Sequence, residues 1–188
     1  MPVLINGFAG SRELFPELKE WEIIEPYDEK AVLKRIEAGG DLLAGWSTGA
    51  HIILKYIDKA VQKFDRVILF APFASFCEHT PERVVKLMIR GLRKDRDKVL
   101  ADFLDKCSAP RILPDTYTET LAGSLEYLIR SRAESVGRYP SVKVVSGRGD
   151  KVVPISGVRE AAESIGAEFI EMDCGHFFGG SVIEGYAR

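Results

Sequence analysis

The sequence predicts an α/β fold: a six-stranded, mostly parallel sheet carrying a helical cap. Three observations lead there. Six short apolar runs recur, at residues 3–6, 22–25, 41–46, 66–71, 142–146 and 168–172. Several are apolar at nearly every position, as strands covered on both faces are. Amphipathic stretches alternate with them, which implies crossover helices and a parallel, doubly wound sheet. Finally, no strand pattern occurs from about 76 to 140, a gap too long for a plain crossover.

Each element follows in order. The first run opens into Asn6-Gly7-Phe8-Ala9-Gly10-Ser11, a glycine-rich turn. After the second run, Ala31, Val32, Leu33, Ile36 and Ala38 form a helical stripe. The third run ends at Trp46, and residues 50–63 read as one helix with Ile53, Leu54, Ile57, Ala60 and Val61 on its apolar face. Beyond the fourth run, Pro81 opens a helix containing Val84, Val85, Leu87, Met88 and Leu92. A second helix passes through Leu100, Phe103 and Leu104, and a third spans 121–130. These three are expected to cap the C-terminal edge of the sheet, where open α/β sheets bind ligands. The fifth run, a stripe of Val158, Ala161, Ala162 and Ile165, and the sixth run complete the chain. The expected strand order, numbered along the sequence, is 2-1-3-4-5-6.

At 188 residues the chain is expected to form one domain, 1–188, with the cap at about 76–140 inserted. A hydrophobic content of 46% with 29% charged residues excludes a disordered chain. Twenty-six basic against 28 acidic residues leave a net charge of −2, which excludes a whole-molecule field attracting nucleic acid. No apolar run approaches the roughly 18–20 residues that cross a bilayer. The start, Met1-Pro2-Val3-Leu4-Ile5, lacks the pattern of a signal peptide, so a cytoplasmic protein is expected. Cys77, Cys107 and Cys174 are widely spaced with no Cys-x-x-Cys, which fits reduced thiols rather than a disulfide framework or zinc site.

The most specific motif is Gly45-Trp46-Ser47-Thr48-Gly49. It matches the Gly-x-Ser-x-Gly elbow, with a strand pattern before it and a helix pattern after it, and so marks Ser47 as a nucleophile. Serine needs a base, and three histidines are available. His51 falls in the helix behind the elbow and His79 at the start of the cap, where packing or surface roles suffice. His176, in Asp173-Cys174-Gly175-His176-Phe177, follows the last strand on the same edge as Ser47 and is the expected base. Asp150, after the fifth strand, is preferred over Asp173 as its carboxylate, because the order Ser, Asp, His suits this fold and a neighbour three residues away tends to cap its own loop. The oxyanion donors are expected to be the backbone N–H groups of Thr48 and Phe8. Arg148 and Lys151 read as solvated charges. No metal pattern occurs and no cofactor is expected.

The stretch 81–98 carries seven basic residues against Glu82, Asp95 and Asp97. It is either a solvated face or a surface for an acidic partner, with Arg90, Arg93 and Lys94 as the chosen contacts.

Through Asn6-Gly7-Phe8, the Ser47 elbow, Gly149-Asp150 with Val153-Pro154, and Gly175-His176-Phe177, the chain resembles the α/β-hydrolase superfamily over nearly its whole length. It looks most similar to the pimeloyl-acyl-carrier-protein methyl ester esterases of biotin synthesis. That narrower likeness lies in Gly45-Trp46-Ser47, in Leu100-Ala101-Asp102-Phe103-Leu104 and in the stretch 121–128. The chain departs by having Asn6-Gly7 in place of His-Gly and Gly49-Ala50 in place of Gly-Gly. The resemblance implies a compact α/β-hydrolase fold, a serine carboxylesterase acting on a carrier-bound pimeloyl methyl ester, and acyl-carrier protein as the partner gripped by basic cap residues. A general short-chain carboxylesterase or thioesterase acting on small esters, and a non-catalytic ligand-binding receptor, are the alternatives.

Overall fold

The computed structural model describes residues 1–134 and 137–186. Six strands, β1 (Val3–Ile5), β2 (Glu22–Ile24), β3 (Gly40–Trp46), β4 (Phe64–Phe70), β5 (Lys143–Gly147) and β6 (Glu168–Met172), form one sheet in the order β2-β1-β3-β4-β5-β6. All five pairings are parallel. The expected strands and their order are therefore present.

Period-two alternation divides the strands between two cores. Val3, Ile5, Leu43, Val67, Leu69 and Val144 face one side. There they meet Val32 and Ile36 of α1 (Glu29–Ala38), Ile52 and Ile53 of α2 (Thr48–Lys55), Ile57 and Ala60 of α3 (Ile57–Lys63), and Val158, Ala161 and Ala162 of α7 (Ile155–Ser164). Leu4, Leu42, Ala44, Trp46, Ile68, Phe70 and Val145 face the other side. That face is covered by Leu14, Phe15, Leu18 and Trp21 of the segment after β1, and by Ile183 of α8 (Gly179–Gly185).

The helix expected over 50–63 is two helices. They meet at Tyr56, whose φ of −116° and ψ of 29° leave helical geometry. The Tyr56 hydroxyl donates to Glu29 Oε1 at 2.9 Å, so a contact with α1 holds the residue at the break. α1 starts at an N-cap: Asp28 Oδ1 accepts from the N–H groups of Lys30 and Ala31.

Between β4 and β5 lie α4 (Glu82–Lys94), α5 (Arg96–Cys107) and α6 (Thr118–Arg130). Of the expected cap range, Ser135 and Val136 fall outside the described residues. α4 buries Val85, Ile89 and Leu92 along one stripe. Val84 and Leu87 are instead exposed and, with Met88, Val99 and Phe103, line an apolar groove of about 390 Å³ between α4 and α5. The excursion closes on itself, because the Ala133 N–H donates to the Ala74 carbonyl at 2.8 Å.

The strand order reverses direction at β1, and Ile5 pairs with Gly45. The turns leaving β1 and β3 therefore emerge side by side, as do those leaving β5 and β6, where Gly147 pairs with Met172. Ligands of open α/β sheets bind at such a switch point. No helix among the described residues is long and apolar enough to cross a membrane.

Candidate active site

Ser47 occupies the turn from β3 into α2 with φ 54° and ψ −113°. Such a backbone costs a non-glycine residue roughly 1–3 kcal/mol and persists only when its surroundings fix it. Here the Ser47 N–H donates to the Phe70 carbonyl at 2.9 Å, and the Ser47 carbonyl accepts from the His51 N–H at 2.8 Å. The flanking glycines are steric requirements. A Cβ on Gly45 would lie 2.8 Å from the Ala50 nitrogen, and one on Gly49 would lie 2.1 Å from the Ile5 carbonyl oxygen. The helix thus folds back hard against the sheet.

His176 Nε2 lies 2.8 Å from Ser47 Oγ, and His176 Nδ1 lies 2.7 Å from Asp150 Oδ2. The imidazole and the carboxylate are both fully buried. Asp150 Oδ1 accepts from the N–H groups of Val152 and Val153 at 2.7 and 2.9 Å, which pins the carboxylate. An ionised carboxylate only accepts, so Nδ1 carries the proton and the Nε2 lone pair faces the serine hydroxyl. That arrangement can take a proton from Ser47 and stabilise the resulting imidazolium. Asp173 is exposed and is not joined to His176.

Thr48 is the first residue of α2, where helical N–H groups lack intrahelical partners. The turn after β1 runs against the elbow: a Cβ on Gly7 would lie 3.2 Å from Ser47 Cβ. The Asn6 carboxamide accepts from the Gly7 N–H at 2.9 Å, and Ala9 sits at φ 59°. Neither the Phe8 nor the Thr48 N–H meets an acceptor among the described residues. The Phe8 ring packs edge-on against Phe103 of α5 at 5.1 Å. Phe103 also lines the α4–α5 groove, so that groove ends one phenyl ring from this turn.

The other candidates serve elsewhere. His51 is fully buried; its Nδ1–H donates to the Phe73 carbonyl at 2.8 Å, and its Nε2 accepts from Ser131 Oγ at 2.8 Å. His79 is half-buried against α7, where a Cβ on Gly157 would lie 2.2 Å from its Nε2. Burial, with the Asp150 charge adding to it, pushes the Cys107 thiol well above its ordinary range. Burial raises Cys77 and Cys174 as well, so no thiol is activated. Among the described residues no cluster of His, Cys, Asp or Glu could hold a metal ion.

The three basic residues chosen on α4 are unlike one another. Arg93 donates to both oxygens of Glu119, at 3.0 and 2.9 Å, and lies 3.9 Å from Glu126. Arg90 and Lys94 make no ion pair among the described residues. Arg90 lines a cleft of about 440 Å³ between α4 and α6, opposite Arg130.

Two contacts to the His176 loop escaped the sequence reading. The Phe177 N–H donates to the Cys107 carbonyl at 3.0 Å. The indole Nε1–H of Trp46 donates to the carbonyl of His176 at 2.8 Å. Only the unusual Gly-Trp-Ser wording of the elbow hinted at a role for that indole.

With this geometry in view, the fold is that of the α/β hydrolases. Similar solved structures include a hydrolase from Pseudomonas aeruginosa PA01, with a TM-score of 0.67, 17% identity, and coverage of 99% of this chain and 86% of that one. The enol-lactonase from Burkholderia xenovorans LB400 has a TM-score of 0.66 and 20% identity, covering 99% and 87%. BioG from Haemophilus influenzae has a TM-score of 0.63 and 13% identity, covering 94% and 88%. No protein-family model and no curated protein sequence matches this chain.

Proposed function

We propose that this chain is a serine ester hydrolase working through an acyl-enzyme. The observation that carries the reading is the continuous Ser47–His176–Asp150 hydrogen-bond chain, at 2.8 and 2.7 Å, at the switch point of the sheet. His176 takes the Ser47 proton as Oγ attacks the ester carbonyl. The N–H groups of Thr48 and Phe8 receive the oxyanion. The imidazolium then protonates the leaving alkoxide, and water activated by the same base releases the acid. The fold shared with a hydrolase and an enol-lactonase agrees with this chemistry.

The substrate in this reading is the methyl ester of pimeloyl-acyl-carrier protein in biotin synthesis, hydrolysed in the cytoplasm without a cofactor. The 76–140 segment acts as the cap of a single hydrolase domain, and Arg90, Arg93 and Lys94 face the acidic carrier. A short-chain carboxylesterase or thioesterase is the second reading. It is favoured by the pairing of Arg93 with Glu119, which takes one of the three charges away from a carrier.

The test combines a fluorophosphonate probe with turnover. Wild-type protein is expected to label at Ser47 and to hydrolyse carrier-bound pimeloyl methyl ester faster than a free short-chain ester. Ser47→Ala should stay folded and lose both properties. Absence of labelling in the wild type would favour the receptor reading, and preference for the free ester would favour the second one.

A further inference from the structure

We infer that Trp46 is the positioning residue that aligns the base with the nucleophile, through its indole N–H on the His176 carbonyl. The inference rests on the ester-hydrolase reading of Ser47 and His176. Trp46 immediately precedes Ser47, yet its Nε1 meets a backbone oxygen 130 residues away, at 2.8 Å. The bond is buried and lies on His176 itself. The other contacts to the loop act on its neighbours: Gly149 donates to the Cys174 carbonyl and Phe177 donates to the Cys107 carbonyl.

The same indole touches the other parts of the site. A Cβ on Gly7 would lie 2.9 Å from Trp46 Cε3, so the six-membered ring lies directly beneath the turn that presents Phe8. Its ring centroid is 5.5 Å from Phe177, 5.8 Å from Phe15 and 5.7 Å from the His176 imidazole. Trp46 is 1% exposed, so its orientation is fixed by packing. One rigid side chain thus sets the distance from β3 to the turn after β1 and to the loop after β6. Without the N–H, the His176 carbonyl would be a buried acceptor lacking this donor, and the imidazole could drift from Ser47. Displacements of about 1 Å in such a constellation cost on the order of 100-fold in rate.

The test replaces the donor while keeping the shape. Benzothienylalanine at position 46 puts sulfur where the N–H stands, and Trp46→Phe is the simpler companion. With a free short-chain ester, both are expected to lower kcat by about 10- to 100-fold and to leave KM within about two-fold, because the bond orients the base without meeting substrate. Fluorophosphonate labelling of Ser47 should slow in parallel. A second readout needs no turnover. In Trp21→Phe protein, Trp46 is the sole tryptophan, and its emission should titrate with His176 and stop doing so in His176→Gln. A benzothienyl protein with wild-type kcat overturns the inference, as does emission that ignores His176. Wild-type protein that neither labels nor turns over ester, but whose Trp46 emission follows His176, would overturn the hydrolase reading and leave the contact standing.

Discussion

Acid should loosen this protein at His51 before it reaches most carboxylates. The imidazole is fully buried beneath the elbow, stacked on Phe73 at 4.8 Å. Burial is the main cause that lowers its pKa from 6.5 to about 4; Lys55 pushes the same way, while the Phe73 carbonyl and Glu29 oppose it. The neutral form satisfies both ring nitrogens, one donating to Phe73 and one accepting from Ser131, and protonation would turn the second into a donor facing a hydroxyl. The unfolded chain takes up the proton near pH 6.5 and the folded chain only near pH 4. The stability due to neutral His51 is therefore complete above 6.5, falls as pH drops, and levels off below 4. The shift of 2.5 units corresponds to about 3 kcal/mol, a large share of a typical domain's stability. Urea unfolding from pH 7.5 to 4 should show wild type losing about 3 kcal/mol more than His51→Gln, whose neutral amide can serve both partners. Subtracting the variant removes the contribution of other groups, His176 included. Parallel curves for the two proteins would refute the argument.

Other outcomes follow from the same geometry. Asp150→Asn should lower kcat by about 10⁴-fold, as tautomer loss does in related triads, while the exposed Asp173→Asn leaves it near wild type in the same ester assay. Gly49→Ala drives a Cβ to 2.1 Å from the Ile5 oxygen, so thermal denaturation should show a loss of about 1–3 kcal/mol or more. Arg90→Glu with Lys94→Glu should raise KM for a carrier-bound ester and blunt its salt dependence, with a small neutral ester unaffected. Arg93→Glu would also break the Glu119 pair, so its melting temperature should fall where that of the other two does not.

What the sequence made legible was local or ordered along the chain. The elbow could be read because strand, glycines and helix lie within a few residues of Ser47, and the Asp150–His176 pair because this fold brings the turns after β5 and β6 together. The break at Tyr56 was hidden because it depends on Glu29, a partner 27 residues away. α8 was hidden for another reason: Gly179, Gly180 and Gly185 weaken any helical signal, and its stability comes from Ile183 packing on the sheet. On α4, the apolar residues looked equivalent, yet Val85 enters the core while Leu87 remains 60% exposed beside the groove. Hydrophobicity alone does not separate a core face from a groove wall. The Trp46–His176 bond joins residues whose proximity only the closed sheet creates.

The hydrogen bond from Ala133 to Ala74 has a consequence for how such a chain can change. Departure and return meet at one point, so everything between them hangs from the sheet as a detachable module. A shorter or differently sequenced helical module spliced at those two alanines would leave Phe70 opposite Val145, and hence the strand register beneath the chemistry, where it stands. Such a graft would have to carry its own counterparts of Ser131 for His51 and of Phe103 for Phe8, because those two contacts are where the module reaches back to the scaffold. Substrate preference could then be exchanged as a single cassette while Ser47, Asp150 and His176 stay in register.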